Sequence, residues 1–161
     1  MLMGVESGNQ HLLDAAKKGI DLGQIKKVFK WAKQLKINTH AHLIIGISGE
    51  SPQTIKASQR FIRQIDPTIV TYGVLIPYQG TELYQNLADN NVQANTAINN
   101  NLSEVLLSEH LQKNVRMCYL DFYLRPRYLF RRLFDCRSFA EFKIILFAAK
   151  NVIGFIFGKE S

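Results

Sequence analysis

Glu6 and Ser7 stand inside a short run, Gly4-Val5-Glu6-Ser7-Gly8, that follows an apolar stretch and precedes a helix signal. The same order of apolar run, glycine-bearing turn and helix recurs at Gly46-Ile47-Ser48-Gly49-Glu50 and at Pro77-Tyr78-Gln79-Gly80. The Glu6 carboxylate and the Ser7 hydroxyl can meet ligand amines or sugar hydroxyls, and Gly46 and Gly49 let a ligand come close to the backbone. In a parallel βα sheet such turns gather at the carboxyl ends of the strands, where N–H groups at helix starts face a common crevice. Each turn taken singly is most simply a turn. Three in series at one end of a sheet make a candidate binding wall.

The elements that must position these residues can be read from hydrophobic period and punctuation. Met1 to Val5 reads as a strand, and Gln10 to about Lys18 as a helix that Gly19 can end in a left-handed conformation. Asp21 with Gln24 has the spacing of a capping box, and Leu22, Ile25, Phe29, Ala32 and Leu35 then fall on one helical face. A second strand is expected over Ile37 to Ile45. Ser51 caps a third helix with Pro52 at its first position, Ile55, Ser58, Phe61, Ile62 and Ile65 form its buried side, and Asp66-Pro67 stops it. Thr68 to Ile76 is rich in β-branched and aromatic residues and reads as a third strand, followed by a short helix from Thr81. Seven asparagines fall between Asn86 and Asn101, in a stretch with little apolar period. The expected division is three βα units over 1–90, an Asn-rich linker over 91–101 and a basic helical tail over 102–161, with helices over about Ser103 to Met117 and Phe139 to Phe157 on either side of an arginine-rich segment.

Three motifs together resemble the later strands of a radical S-adenosylmethionine barrel: Gly4-Val5-Glu6-Ser7-Gly8 with Lys17-Lys18-Gly19, Leu43-Ile44-Ile45-Gly46-Ile47-Ser48-Gly49-Glu50, and Leu75-Ile76-Pro77-Tyr78-Gln79-Gly80-Thr81-Glu82-Leu83-Tyr84. The tail run from Phe122 to Tyr128 is similar to the ends of the subgroup that carries a cobalamin-binding domain before the barrel. The resemblance implies an α/β fold, a partial (β/α) barrel whose fourth, fifth and sixth strands are the three strands here, followed by the helical tail. It implies that Glu6 and Ser7 contact the ribose and methionyl part of S-adenosylmethionine, that Ile44 packs on adenine with Gly46 and Gly49 in the adjacent turn, and that Ile76 and Pro77 border the adenine. His42 stands where the family has glycine, and Ser48 and Gln79 where the subgroup has proline.

Family chemistry also needs a CxxxCxxC loop to hold a [4Fe-4S] cluster, and Cys118 and Cys136 are the only cysteines, with seventeen residues between them. The expectation is a C-terminal fragment. Its full-length form, with cluster, cobalamin and a small-molecule substrate, would cleave S-adenosylmethionine to a 5′-deoxyadenosyl radical or transfer a methyl group. A missing N-terminal half or a complementing chain would then be its partner. The rival expectation is a non-enzymatic module that binds a partner or a membrane. His40 and His42 lie two apart, on the face of the strand that carries Ile44; a metal site there lacks a third ligand, so a substrate-facing or buried polar role is favoured.

The net charge of +7 is uneven. Residues up to 112 carry 10 basic and 9 acidic side chains, a balance of +1, whereas those from Lys113 carry 10 and 4, a balance of +6. A basic tail suggests an anionic partner, with peripheral contact to the inner face of a membrane through the last apolar helix as one form; nucleic-acid binding would rest on charge alone. The opening residues show no basic-then-apolar leader pattern, so a cytoplasmic location is expected. Anaerobic reconstitution with iron and sulfide should give no stable four-iron absorption from this chain alone; such a spectrum would show that the cysteine count misleads.

Overall fold

The computed structural model describes residues 1–76 and 109–135, together with Gly80, Thr81, Gln85 and Gly154. Its first three helices begin where the sequence supplies an acceptor for the free N–H groups of the first turn. Asn9 caps α1 (Gln10–Ala15) by accepting from the Leu12 N–H. Asp21 and Gln24 close a reciprocal box at the start of α2 (Leu22–Gln34), and Ser51 and Thr54 do the same for α3 (Pro52–Ile65). Asp66, left-handed at φ 48°, ends α3. α1 is shorter than its sequence suggests: it stops at Ala15, and Lys17 turns left-handed at φ 52° before Gly19 does.

Between these helices run β1 (Leu2–Glu6), β2 (His40–Ile45) and β3 (Ile69–Val74), parallel and in the order β1-β2-β3. This is the expected α/β partial barrel arrangement with flanking helices. β2 starts three residues later than its apolar run, and β3 is shorter than the Thr68 to Ile76 run at both ends. Burial alternates along β2: Ala41, Leu43 and Ile45 are buried under the helices, while His40, His42 and Ile44 share the opposite, half-buried face. The core lies on the helix side, where Val5, Leu13, Ile25, Phe29, Leu43, Ile62 and Val70 meet. Leu35 does not join the apolar face of α2. It is the C-cap residue, past the last helical position, and is 71% exposed.

The tail contributes to this core. α4 (Glu109–Tyr123) runs six residues beyond the expected Met117 and buries Val115, Cys118 and Phe122 in the same cluster. The arginine-rich segment is helical from Pro126, forming α5 (Pro126–Asp135). Burial of a phenylalanine such as Phe122 contributes about 1.5–3 kcal/mol. Pro77, the Asn-rich 91–101 stretch and the helix expected over Phe139 to Phe157 lie outside the described residues.

β3 is an edge strand, and its outer backbone groups must be satisfied or remain open to another strand. Three tyrosines serve four of these groups. The Tyr123 hydroxyl accepts from the Val70 N–H at 3.1 Å and donates to the Val70 carbonyl at 2.8 Å. The Tyr119 hydroxyl accepts from the Tyr72 N–H at 3.2 Å, and the Tyr128 hydroxyl donates to the Thr68 carbonyl at 3.2 Å. The rings pack on one another, Tyr123 and Tyr128 edge to face at 5.3 Å. Burial pushes the Tyr123 hydroxyl up to about 12, so it stays a donor. Tyr123→Phe keeps the ring and removes both edge bonds; urea denaturation should show a loss of about 1–2 kcal/mol, and an unchanged midpoint would mean that water serves the edge equally well.

Candidate functional site

The carboxyl end of β1 is irregular for a local reason. Its pairing with β2 slips between Gly4 and Glu6, and Glu6 sits left-handed at φ 60°. The slip folds the Glu6 carboxylate back over Gly4, where any Cβ would lie 2.5 Å from Oε1. Glu6 Oε1 accepts from Lys18 Nζ at 2.7 Å, while Oε2 is buried and has no hydrogen-bond partner among the described residues. A buried carboxylate oxygen with an open acceptor is poised for a donor from outside.

Ser7 points elsewhere. It is 1% exposed, its hydroxyl lies 3.3 Å from that of Ser58 and accepts from the Asn9 N–H at 3.2 Å, and the Gly8 N–H donates to Ser58 at 2.9 Å. Gly8 lies so close to α3 that a Cβ there would meet the Ser58 Cα at 2.5 Å. Ser7 and Gly8 therefore tie the β1 turn to α3 and hold Glu6 in place.

The β2 turn forms the second part of the wall. Gly46 and Gly49, at φ 93° and 83°, reverse the chain before α3. Glu50 Oε2 accepts from the Gly46 N–H at 2.8 Å and braces the turn from within. Burial raises the Glu50 carboxyl above its ordinary value, against the opposing pull of that N–H. Gly46, Gly49 and Glu50 line a cavity of about 270 Å³ that His110, Leu111 and Asn114 of α4 close from the other side. Glu6, Ser7, Ile44 and Ile76 are not among its lining residues. The contribution of α4 was invisible in the sequence, because it depends on a return across the sheet rather than on any local motif.

His40 and His42 do share a face with Ile44. His40 Nε2 and His42 Nδ1 each lie 2.8 Å from the single Thr71 hydroxyl of β3. That hydroxyl has one proton and two lone pairs, so it donates to at most one imidazole and at least one ring donates to it. Burial first, then His42, then the N-terminal ammonium lower the His40 pKa. The His42 ring rests against Gly73, where a Cβ would lie 3.3 Å from two of its ring atoms. The space a side chain at 73 would take is filled by the His42 ring.

No site for a cluster forms among the described residues, and no group of three His, Cys, Asp or Glu is placed to hold a metal ion there. Cys118 is buried, takes a contact at 3.8 Å from the Gln59 amide, and burial pushes its thiol up to about 12. A protonated core thiol is the reverse of a cluster ligand. Cys136 lies outside the described residues.

No protein-family profile matches the chain. Among curated proteins it is 28% identical, over 84% of its length, to an uncharacterized methyltransferase of Pyrococcus horikoshii, covering 31% of that protein. It is 26% identical, over 54% of its length, to an anaerobic magnesium-protoporphyrin IX monomethyl ester cyclase of Rubrivivax gelatinosus, covering 16% of it, and 25% identical over the same share to the cyclase of that name from Cereibacter sphaeroides. The chain spans less than a third of the length of each of these relatives. They support a distant relationship to methyl-transfer and radical S-adenosylmethionine-type proteins.

The lowered His40 pKa has a definite sign in stability. The folded state holds His40 neutral to lower pH than the unfolded chain does, so this contribution is present above about pH 6.5 and is lost as pH falls through the folded value. His40→Gln should flatten the acid limb of a thermal-midpoint profile below that pH while leaving the neutral region nearly unchanged; parallel acid limbs would show that His40 does not titrate as this environment requires.

Proposed function

We propose that the chain is the S-adenosylmethionine-binding part of a radical S-adenosylmethionine enzyme, and that the [4Fe-4S] cluster and cobalamin are held elsewhere in the full-length form. Bound there, the cluster would supply the electron that cleaves S-adenosylmethionine to a 5′-deoxyadenosyl radical, or the cobalamin would relay its methyl group. The observation that carries the reading is the buried, unpartnered Glu6 Oε2 at the carboxyl end of β1. It is an acceptor suited to a ribose hydroxyl or the methionyl ammonium. Lys18 neutralises its companion oxygen, so a neutral or singly cationic donor completes the site. Ile44 would lie against adenine, Gly46 and Gly49 would admit the ligand to the backbone, and Ile76 with Pro77 would border the ring. Similarity to a named methyltransferase supports the methyl-transfer form.

Such a wall requires a second wall. β1 is the far edge of the sheet, and no described strand pairs with its outer side. A complementing segment or chain that adds strands there would bring the cluster and part of the substrate site. The unpaired outer side of β1 also suits a second reading for the chain taken alone, a half-barrel module that binds partners without catalysis.

Equilibrium dialysis against labelled S-adenosylmethionine tests the site directly. Weak, saturable binding is expected, and Glu6→Gln should weaken it about tenfold, the value of a charge-assisted hydrogen bond. Absence of binding, or equal affinity of the two proteins, would remove Glu6 from the site and favour the module reading.

A further inference from the structure

α5 is amphipathic in the reverse of the usual sense. On a helix facing water the polar side is outermost. Here the polar side faces the protein: Tyr128 is buried, Arg131 pairs with Asp66 and reaches the Pro67 carbonyl at 3.3 Å, and Arg132 bonds the Thr68 carbonyl and the Tyr128 hydroxyl. Leu129, Phe130 and Phe134 face outward, the two phenylalanines 62% and 85% exposed.

The anchor of α5 also joins it to α2. Asp66 takes Lys33 of α2 at 3.3 Å on the same oxygen that pairs with Arg131, and Arg125 lies 3.8 Å from its other oxygen. All of this is at the amino-terminal end of the strands, where α2 gives out into exposed Leu35 and Ile37. One acid is thus ringed by three cations, and exposed apolar side chains after α2 and on α5 lie at the same end of the sheet. Lys36 and Arg127 stand exposed beside them.

From this arrangement we infer that the amino-terminal end of the sheet docks on an anionic lipid surface. Exposed phenylalanines with leucine and isoleucine suit the boundary between head groups and acyl chains, and exposed lysine and arginine suit anionic head groups. A second copy of the chain fits less well, since a self-complementary contact would set the same cations against each other. The contact lies at the end of the sheet opposite the Glu6 and Gly46 turns. Docking therefore leaves the carboxyl ends of the strands open to the aqueous side. This surface belongs to α5 and the turn that follows α2, and the inference stands independently of S-adenosylmethionine binding.

Flotation of the full chain with vesicles tests it. The chain should float with phosphatidylglycerol–phosphatidylcholine vesicles at low salt and remain below with pure phosphatidylcholine. Phe130→Ser with Phe134→Ser should reduce the floating fraction by about tenfold, and Lys36→Glu with Arg127→Glu should remove the preference for the anionic vesicles, both with unchanged circular dichroism. Equal flotation of the phenylalanine variant and the parent would overturn the inference. So would a dimer that the phenylalanine variant disperses without any vesicle binding, or a lowered melting temperature of that variant with flotation unchanged, which would show the face covered by the chain itself.

Discussion

The outer edge of β3 is the constraint on which the rest of the structure turns. A parallel sheet of three strands has two edges, and every N–H and C=O along each must find a partner. At β3 four of these groups are met by hydroxyls carried on helices, from Tyr119, Tyr123 and Tyr128, and Arg132 also bonds the Thr68 carbonyl. Satisfying the edge in this way places α4 against the sheet, seats Phe122 and Cys118 in the core, and delivers His110 and Asn114 to the mouth of the cavity at the β2 turn. It also occupies much of the outer side of β3, whereas no described strand pairs with the outer side of β1.

The candidate site depends on two kinds of rigidity. At the β1 turn, Ser7 and Gly8 are committed to Ser58, so Glu6 is held by its neighbours and keeps one oxygen unspent. At the β2 turn, Glu50 uses its own carboxylate to brace Gly46, and the turn is held from inside. The family resemblance treats these residues as equivalent parts of one wall. In the structure they divide into those that present a group outward and those that fix the presentation.

Much of this was legible in the sequence, and the reasons are specific. The caps at Asp21 and Ser51 and the stop at Asp66 rest on local chemistry, and all three stand where the sequence puts them. The shared face of His40, His42 and Ile44 follows from the period of a strand. Leu35 fitted the helical period of α2 yet lies outside, because period says which side a residue takes but not where the helix ends. The Thr71 bridge between the two histidines and the tyrosine edge were out of reach for a different reason. Each joins residues brought together only by the fold, with 29 to 60 positions between partners.

That separation bears on how the chain is made. β3 is complete once Val74 has left the ribosome, but the hydroxyls that close its edge lie 47, 53 and 60 residues beyond the groups they bond. During that interval of synthesis the outer edge of β3 lacks these partners, and another nascent chain can pair with it. The tail is thus the element that ends a period of vulnerability during translation, and slow passage through the stretch between β3 and α4 lengthens it.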